Sequence, residues 1–227
     1  MSVASASAPA KEQQLHAEVF LGVNIGCGTS VADGWYNIDN SPTIWLSRIP
    51  VLRSLFRVPA WPKSVHRHDV LKGLPFGNET VDCIYSSHTF EHFTYAQSLF
   101  LTKECLRVLK PSGILRIVVP DLKQLVQDYL SDPDSTASHR FIERLSLSHT
   151  WQDLVHRGAH HQQMFDGRSL LGMLDEAGFE NAQLSNFSES RIMNLAGLEL
   201  AQRRHESIYV EAYKLHAQDQ MQLPKGA

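Results

Sequence analysis

The sequence predicts an α/β fold with a doubly wound, mostly parallel sheet that carries helices on both faces. Short apolar runs alternate along the chain with longer segments of helical periodicity, as in repeated βα units. Two of the runs, Val81–Ser86 and Ile114–Val119, are continuous, which is typical of central parallel strands buried on both faces. The chain has 227 residues, 43% of them hydrophobic, which is enough to bury a core without disulfides or a structural metal.

The elements follow in chain order. Strands are predicted at Val19–Ile25, Trp35–Ile38, Val81–Ser86, Ile114–Val119, Phe179–Phe187 and Ser207–Tyr213. Helices are predicted at Tyr95–Leu109, which ends at the turn Lys110–Gly113, at Asp121–Leu130, and from Asp166 to Gly178. Asp121 and Asp166 are N-cap candidates, because a short acidic side chain accepts hydrogen bonds from the first free N–H groups of a helix.

These elements place one domain at residues 18–215. A Ser/Ala-rich tail without order is expected at 1–17 and a polar tail at 216–227. Within the domain, we expect a basic amphipathic insertion at 44–68 and a helical lid over the strand ends at 138–165.

Composition excludes several classes of protein. The three cysteines are an odd number without a C-x-x-C pair, which argues against a disulfide framework or a cysteine-based zinc ribbon. The net charge of −3 argues against a nucleic-acid partner. No apolar run is long enough to cross a membrane, and the opening residues do not have the pattern of a secretory signal. A cytoplasmic protein is expected.

A glycine-rich turn follows the first predicted strand and is typical of a nucleotide-like cofactor site. Gly26 and Gly28 leave bare backbone that a ligand can approach closely. Val31 stands where the dinucleotide fingerprint needs a third glycine, and no P-loop lysine follows, so NAD and ATP are disfavoured. Asp39 follows Gly26 too closely for a full intervening helix, which favours a phosphate-free cofactor such as S-adenosylmethionine. The alternative is an ordinary tight βα turn.

Several further motifs extend this pattern along the chain. They are Asn24-Ile25-Gly26-Cys27-Gly28, Gly34-Trp35-Tyr36-Asn37-Ile38-Asp39, His68-Asp69-Val70, Leu74-Pro75-Phe76, Thr80 to His88, Phe90-Glu91-His92 and Leu106 to Gly113. With these motifs the chain resembles the class I S-adenosylmethionine-dependent methyltransferases, in particular their small single-domain, type 11-like branch. The resemblance implies a Rossmann-like, mostly parallel sheet of seven strands.

The resemblance also implies a set of cofactor-binding residues. Gly26 and Gly28 would underlie the cofactor, Asp39 would hold the ribose and Asp69 would accept from the adenine amine. Ser86 to His88 would border the methyl group. The implied cofactor contacts are Asn24, Gly26, Cys27, Gly28, Asp39, Asp69, Val70, Ser86 and Ser87. Two positions depart from the family pattern, since Asn24 replaces an acid and Ser30 replaces a third glycine.

Histidines near the predicted strand ends are candidates for the chemistry. A hydroxyl acceptor benefits from a general base that titrates near neutral pH, and His92 and His88 are the candidate catalytic residues. The alternative for His92 is a histidine that only caps or packs. A second alternative is a metal-assisted O-methyltransferase that uses His88, Glu91, His92 and His160 of the pair His160-His161, since this spacing is similar to that of metal-dependent O-methyltransferases and its imidazole groups suit zinc, iron or cobalt. The other role for His160 and His161 is to line the acceptor pocket.

The insertion 44–68 contains five basic residues and no acid. Trp45, Ile49, Leu52 and Phe56 have the spacing of an apolar helical stripe, which Pro50 must interrupt. One interpretation is a flap packed on the core with solvated arginines. The others are contact with an anionic acceptor or with a membrane surface.

We therefore expect methyl transfer to a hydroxyl of a small-molecule or saccharide acceptor, and an anionic acceptor is one of the interpretations of the basic insertion. The resemblance implies a place in polysaccharide biosynthesis. The alternative from another class is a non-catalytic S-adenosylmethionine-binding module.

Overall fold

The computed structural model describes residues 20–145, 161–193, 195 and 197–215. The predicted tails at 1–17 and 216–227 lie outside the described residues, as does the central part of the predicted lid.

The sheet has seven strands. They are β1 Gly22–Ile25, β2 Trp35–Asp39, β3 Val65–Arg67, β4 Val81–Ser87, β5 Leu109–Pro120, β6 Gln183–Ser185 and β7 Ser207–Tyr213. The spatial order is β3-β2-β1-β4-β5-β7-β6, and β7 runs antiparallel to both of its neighbours while the other pairs are parallel. The predicted Rossmann-like, mostly parallel sheet is confirmed.

Within the described residues, six helices accompany the strands. They are α1 Thr43–Ser47, α2 Pro50–Leu55, α3 Tyr95–Val108, α4 Leu122–Ser131, α5 Thr136–Leu145 and α6 Gly167–Ala177. The side chain of Asp121 accepts from Lys123 N at 2.9 Å, and that of Asp166 accepts from Ser169 N at 2.7 Å, so both predicted N-caps are found. Gly178 ends α6 in the left-handed conformation, with φ of 102°.

Three local predictions differ from the structure. The predicted turn Lys110–Gly113 is part of β5, where Ser112 takes φ of 63° and the register with β4 shifts, so the chain bulges and continues. The predicted strand Phe179–Phe187 shortens to β6, because only this stretch pairs with β7 at the edge of the sheet. β3 was not predicted, because two of its three residues, His66 and Arg67, are exposed and its sequence has no apolar pattern.

The core lies on both faces of the sheet. One cluster packs α3 and α6 against the strands through residues such as Leu101, Leu170 and Ile117. On the other face, Tyr85 and Tyr209 pack with buried residues from the segment after β6, namely Ile192, Leu195 and Leu198. Because β1, β2 and β4 are parallel, their carboxyl ends meet at one edge of the sheet, which is where ligands bind in this class of fold.

Within the described ranges, no helix has the length and apolar character needed to cross a bilayer.

Candidate active site

The glycine turn after β1 lies at the carboxyl edge of the sheet, where the cofactor cleft of this fold class is expected. Gly26 and Gly28 both take positive φ, at 66° and 53°, and the amides of Gly26 and Cys27 donate to Ile38 O at 2.9 and 3.1 Å. A Cβ at Gly26 would overlap the side chain of Thr89, whereas a Cβ at Gly28 would meet nothing within 4 Å. Gly26 therefore permits packing against Thr89, and Gly28 presents open backbone to the cleft.

Asp39 lies directly beside this turn. Its Oδ2 accepts from Gly28 N at 2.9 Å and its Oδ1 accepts from Ser41 N at 2.7 Å. The carboxylate thus joins the end of β2 to the turn, and each oxygen has a second lone pair for a ligand hydroxyl. This is the placement expected for a residue that holds two ribose hydroxyls, and the assignment stays a prediction.

Asn24 does not fit its predicted contact with the cofactor. The side chain is 2% exposed, and its amide nitrogen donates to Ser30 O at 3.1 Å and to Asn37 Oδ1 at 3.0 Å. Both amide hydrogens are therefore used inside the protein, where they hold the loop that follows the glycine turn. Asn24 shapes the site without facing the cleft.

Asp69 follows β3 on the same edge as Asp39. Its Oδ1 accepts from Leu71 N at 3.2 Å and caps a 3-10 turn at Val70–Lys72, in which Val70 is buried. His68 N donates to Asp39 O at 3.1 Å, so the two acidic residues are linked through backbone. The predicted adenine contact of Asp69 and the contact of Val70 both remain predictions.

The two serines at the end of β4 differ. Ser86 is fully buried and donates to Ile25 O at 3.2 Å, so it joins β4 to β1 and does not border the methyl group as expected. Ser87 is half-buried at the last position of the strand. Thr89 was not predicted as a site residue; its hydroxyl donates to Ser87 O at 3.2 Å and to Ile25 O at 3.4 Å, and its side chain covers Gly26.

Cys27 is a structural thiol. It is 6% exposed, its Sγ contacts Gly28 O at 3.4 Å, and burial followed by the charge of Asp39 raises its pKa to about 12. A thiol that stays protonated at neutral pH is a poor nucleophile, so Cys27 contributes to the site only through the turn.

Beyond Thr89, a 3-10 turn at Phe90–His92 brings three chemical groups together. Ligand atoms of Glu91, His92 and His161 all lie within 4.8 Å of one another. The rings of His92 and His161 pack edge to face with centroids 5.3 Å apart. The amides of Gln162 and Gln163 donate to Glu91 O at 2.8 and 3.2 Å, which fixes the chain around His161 against this turn. We call these three residues the acid–histidine cluster.

Glu91 is the most unusual member of the cluster. It is 1% exposed, and within the described ranges neither carboxylate oxygen has a hydrogen-bond partner of good geometry. Burial opposes ionisation, but the nearby His88 nitrogen and the charges of His88 and His92 outweigh it and hold the pKa of Glu91 below its usual value. Glu91 is therefore a buried carboxylate that lacks the donors such a group normally has.

His88 supports the cluster and is not part of it. It takes φ of 51°, its Nε2 lies 3.0 Å from Ser207 Oγ, and its Nδ1 lies 3.3 Å from Glu91 Oε1. Both ring nitrogens are engaged by the protein, so the structure does not favour His88 as a catalytic residue or a metal ligand. His160, the other predicted ligand, lies outside the described residues, and His161 occupies the place expected for it.

The sheet order, the glycine turn after β1 and the acid at the end of β2 define the fold of the class I methyltransferases. The chain belongs to the family of methyltransferase domains, whose family model matches residues 22–184. It is an S-adenosylmethionine-dependent methyltransferase. No curated protein matches its sequence significantly.

Solved structures share the fold at low sequence identity. One is described as a methyltransferase in complex with the Trm112 methyltransferase activator of Haloferax volcanii. It is 15% identical, with a TM-score of 0.50 over 88% of this chain and 83% of that chain. Another is the YcgJ protein from Bacillus subtilis, which is 13% identical with a TM-score of 0.50 over 88% of this chain and 94% of that chain.

Proposed function

We propose that the chain transfers the methyl group of S-adenosylmethionine to a hydroxyl of a small-molecule or saccharide acceptor. One observation carries the proposal: the acid–histidine cluster lies at the strand edge, two residues beyond the Thr89 that covers the glycine turn. A hydroxyl has a high pKa, so its proton must be taken or its oxygen polarised as the methyl group arrives. A cytoplasmic role in polysaccharide biosynthesis belongs to the same proposal.

The cofactor half of the site is formed by backbone and two carboxylates. Gly26, Cys27 and Gly28 offer close backbone approach, which the open surface at Gly28 supports. Asp39 accepts from the ribose hydroxyls and Asp69 from the adenine amine. In a calorimetric titration with S-adenosylhomocysteine, Asp39→Asn weakens binding by about 1.5–3 kcal/mol, the scale of a hydrogen bond to a charged group. Asp175→Asn, on α6, is the matched control and keeps the wild-type affinity.

His92 accepts the proton of the hydroxyl in this mechanism. The acceptor oxygen forms a bond to the methyl carbon, the carbon–sulfur bond breaks, and the sulfonium becomes the thioether of S-adenosylhomocysteine. The neighbouring Glu91 carboxylate stabilises the imidazolium that forms on His92. The site needs little else, because alignment of the two reactants and exclusion of water supply most of the acceleration.

The test uses a panel of hydroxyl acceptors and measures the release of S-adenosylhomocysteine. We expect His92→Asn to lower the rate by roughly 10²- to 10⁴-fold while the affinity for S-adenosylhomocysteine is unchanged. The control is His205→Asn, because His205 is exposed and pairs with Asp128 away from the cluster. An active His92→Asn enzyme would reject this role, and loss of its folding would favour the packing alternative.

A second candidate is metal-assisted methyl transfer, favoured by the same buried carboxylate with unsatisfied oxygens. One carboxylate and two imidazoles on one side of a cleft suit zinc, iron or cobalt better than magnesium. Glu91, His92 and His161 would hold the ion, which would polarise the acceptor oxygen and lower the pKa of its proton. His88 would orient the Glu91 carboxylate through the contact between its Nδ1 and Glu91 Oε1.

Metal analysis separates the two candidates. If a metal ion assists the transfer, we expect one equivalent of metal in the purified protein and loss of activity on chelation. We also expect a Co²⁺ absorption spectrum that disappears in Glu91→Gln and in His161→Asn. His66→Asn is the control, since the ring of His66 is stacked on Tyr36. Full activity after chelation, without bound metal, would leave His92 as the base.

A further inference from the structure

The insertion between β2 and β3 exposes a set of large apolar side chains. We call this set the docking face, and its members are Trp45, Ile49, Val51, Leu55 and Phe56, which are 64%, 45%, 74%, 70% and 60% exposed. Helix α2 has no buried residue at all. The interpretation of the insertion as a flap packed on the core is therefore wrong for this helix, and only α1 is anchored, through Ile44.

So many exposed apolar side chains in one short stretch mark an interaction surface. Single exposed apolar residues are normal in proteins, but a contiguous group indicates a partner. Pro50 separates α1 from α2 and is the first residue of the second helix. The apolar side chains of α2 are not packed in the core of the domain.

The charges around the docking face indicate the chemistry of that partner. Arg48, Arg53 and Arg57 are exposed, and within the described ranges their side chains form no ion pair or hydrogen bond. The whole stretch 44–68 has five basic residues and no acid, in a chain of net charge −3. The docking face combines apolar side chains with arginines that have no ion-pair partner in the described ranges. This combination matches a partner whose outer layer is negatively charged and whose inner layer is apolar.

We propose that the docking face binds the surface of an anionic phospholipid bilayer. The aromatic and aliphatic side chains enter the boundary between headgroups and acyl chains, and the arginines contact lipid phosphates. Lipid phosphates are mobile and can arrange themselves around arginines at any spacing, so the charge complementarity favours a bilayer as the occupant.

The docking face is connected to the cofactor turn through a short series of contacts. Ser41 N donates to Asp39 at 2.7 Å, and Ser41 Oγ lies 2.7 Å from Thr43 Oγ1 at the start of α1. Ile44 packs in a small core cluster with Cys27 of the glycine turn. Binding to a bilayer would therefore hold the glycine turn near the lipid surface, and an acceptor carried by a lipid, an inference that rests on the proposed function, would be brought close to it.

Sedimentation of the full chain with vesicles tests the proposal without any methyl transfer. We expect binding to vesicles of phosphatidylglycerol and phosphatidylcholine, weak binding to phosphatidylcholine alone, and loss of binding at high salt. The triple variant Arg48→Gln/Arg53→Gln/Arg57→Gln should bind about 100-fold more weakly, since each basic residue contributes about fivefold. Leu55→Ser/Phe56→Ser should bind at least tenfold more weakly by loss of the inserted side chains.

Two matched controls separate the docking face from the rest of the protein. Lys103→Gln/Lys123→Gln/Arg140→Gln makes the same charge change at exposed positions on α3, α4 and α5, and Val126→Ser/Leu130→Ser removes exposed apolar side chains from α4. Both should bind vesicles like the wild type.

Three results would overturn the proposal. The first is a wild-type chain that stays in the supernatant with anionic vesicles. The second is an equal loss of binding in the control variants. The third is a dimer in analytical ultracentrifugation that Leu55→Ser/Phe56→Ser converts to monomer, which would make a second copy the occupant of the docking face.

Discussion

Arg116 and Glu91 are both buried charges in this domain, but they differ in the hydrogen-bond partners that surround them. Arg116, on β5, is 0% exposed and donates to two carboxylates, Glu199 at 2.6 Å and Glu211 at 3.0 Å. Its remaining donors reach Ser185 Oγ and the carbonyl oxygens of Glu189 and Asn186. Glu91 is 1% exposed, and in the described part of the chain neither carboxylate oxygen has a hydrogen bond of good geometry, so its charge depends on the nearby His88 and His92.

The difference separates a structural charge from a functional one. A buried charge whose donors all have acceptors costs little to keep and fixes the elements around it, here β5, β6, β7 and the segment after β6. A buried carboxylate that keeps its charge through neighbouring histidines, without a hydrogen bond of good geometry, still has oxygens to offer to a proton, a metal ion or a substrate group. Glu91 lies where such a group would arrive, at the edge of the sheet.

The largest effect on stability is expected from Arg116→Met. Removal of the guanidinium leaves Glu199 and Glu211 buried beside each other without a cation, which costs about 3–5 kcal/mol of unfolding free energy. Urea unfolding followed by circular dichroism measures this. Arg140→Met, at an exposed position on α5, is the control and should change stability by less than about 0.5 kcal/mol. A loss below about 1 kcal/mol in Arg116→Met would show that the network is not structural.

Glu91→Gln should show the opposite pattern, a small effect on stability and a large effect on methyl transfer. The amide keeps the shape and removes the charge, so we expect the unfolding free energy to change by less than about 1 kcal/mol, because within the described residues the carboxylate has no hydrogen bond of good geometry to lose. Methyl transfer should fall by at least roughly 10²-fold, since the charge acts on His92 during the reaction or holds a metal. Glu176→Gln, at the exposed contact with Tyr95, should leave activity unchanged. An active but strongly destabilised Glu91→Gln protein would make Glu91 a structural charge like Arg116.

Most of the fold was predictable because its signals are local. Continuous apolar runs located β4 and the main part of β5, and short acidic side chains located the starts of α4 and α6. β3 and the bulge at Ser112 were not predictable from these signals. Two of the three residues of β3 are exposed. The bulge at Ser112 depends on the register between β4 and β5, which no local sequence pattern contains.

The candidate site was predictable in its residues but not in their roles. The pattern around Gly26 and Asp39 located the cofactor turn, yet Asn24 on β1 and Ser86 on β4 face inward, where side-chain hydrogen bonds decide their role. His161 is distant in sequence from Glu91, and only the folded chain brings them together. Arg116 interrupts an apolar run, and its partners Glu199 and Glu211 come from segments far along the chain.

The contact between His88 and Glu91 should appear as a moderate coupling energy. A double-mutant cycle of His88→Asn and Glu91→Gln measures it, and asparagine tolerates the positive φ at position 88. We expect about 1 kcal/mol, within the range for residues in direct contact, because His88 is the closest partner of the buried carboxylate. The same cycle between His88→Asn and Glu104→Gln should give zero within about 0.5 kcal/mol. Zero coupling in both cycles would mean that His88 does not stabilise the charge of Glu91.

The smallest effect is expected for a charge that is paired near the surface. Glu104 and Arg107 on α3 form a two-point ion pair with both distances at 2.8 Å, and their side chains are 17% and 33% exposed. The hydrogen bond from Arg107 holds the pKa of Glu104 below its ordinary value of 4.5, although burial opposes this.

A carboxyl with a lowered pKa stabilises the folded chain when it is ionised, so its contribution is complete above the unfolded pKa and disappears as pH falls through the folded value. Glu104→Gln should therefore cost about 0.5–1 kcal/mol at pH 7, a range that allows for solvent screening, and the difference from wild type should shrink below pH 4.5. Urea unfolding at several pH values measures this difference. A difference that stays constant down to pH 3 would mean that Glu104 acts through packing and not through its charge.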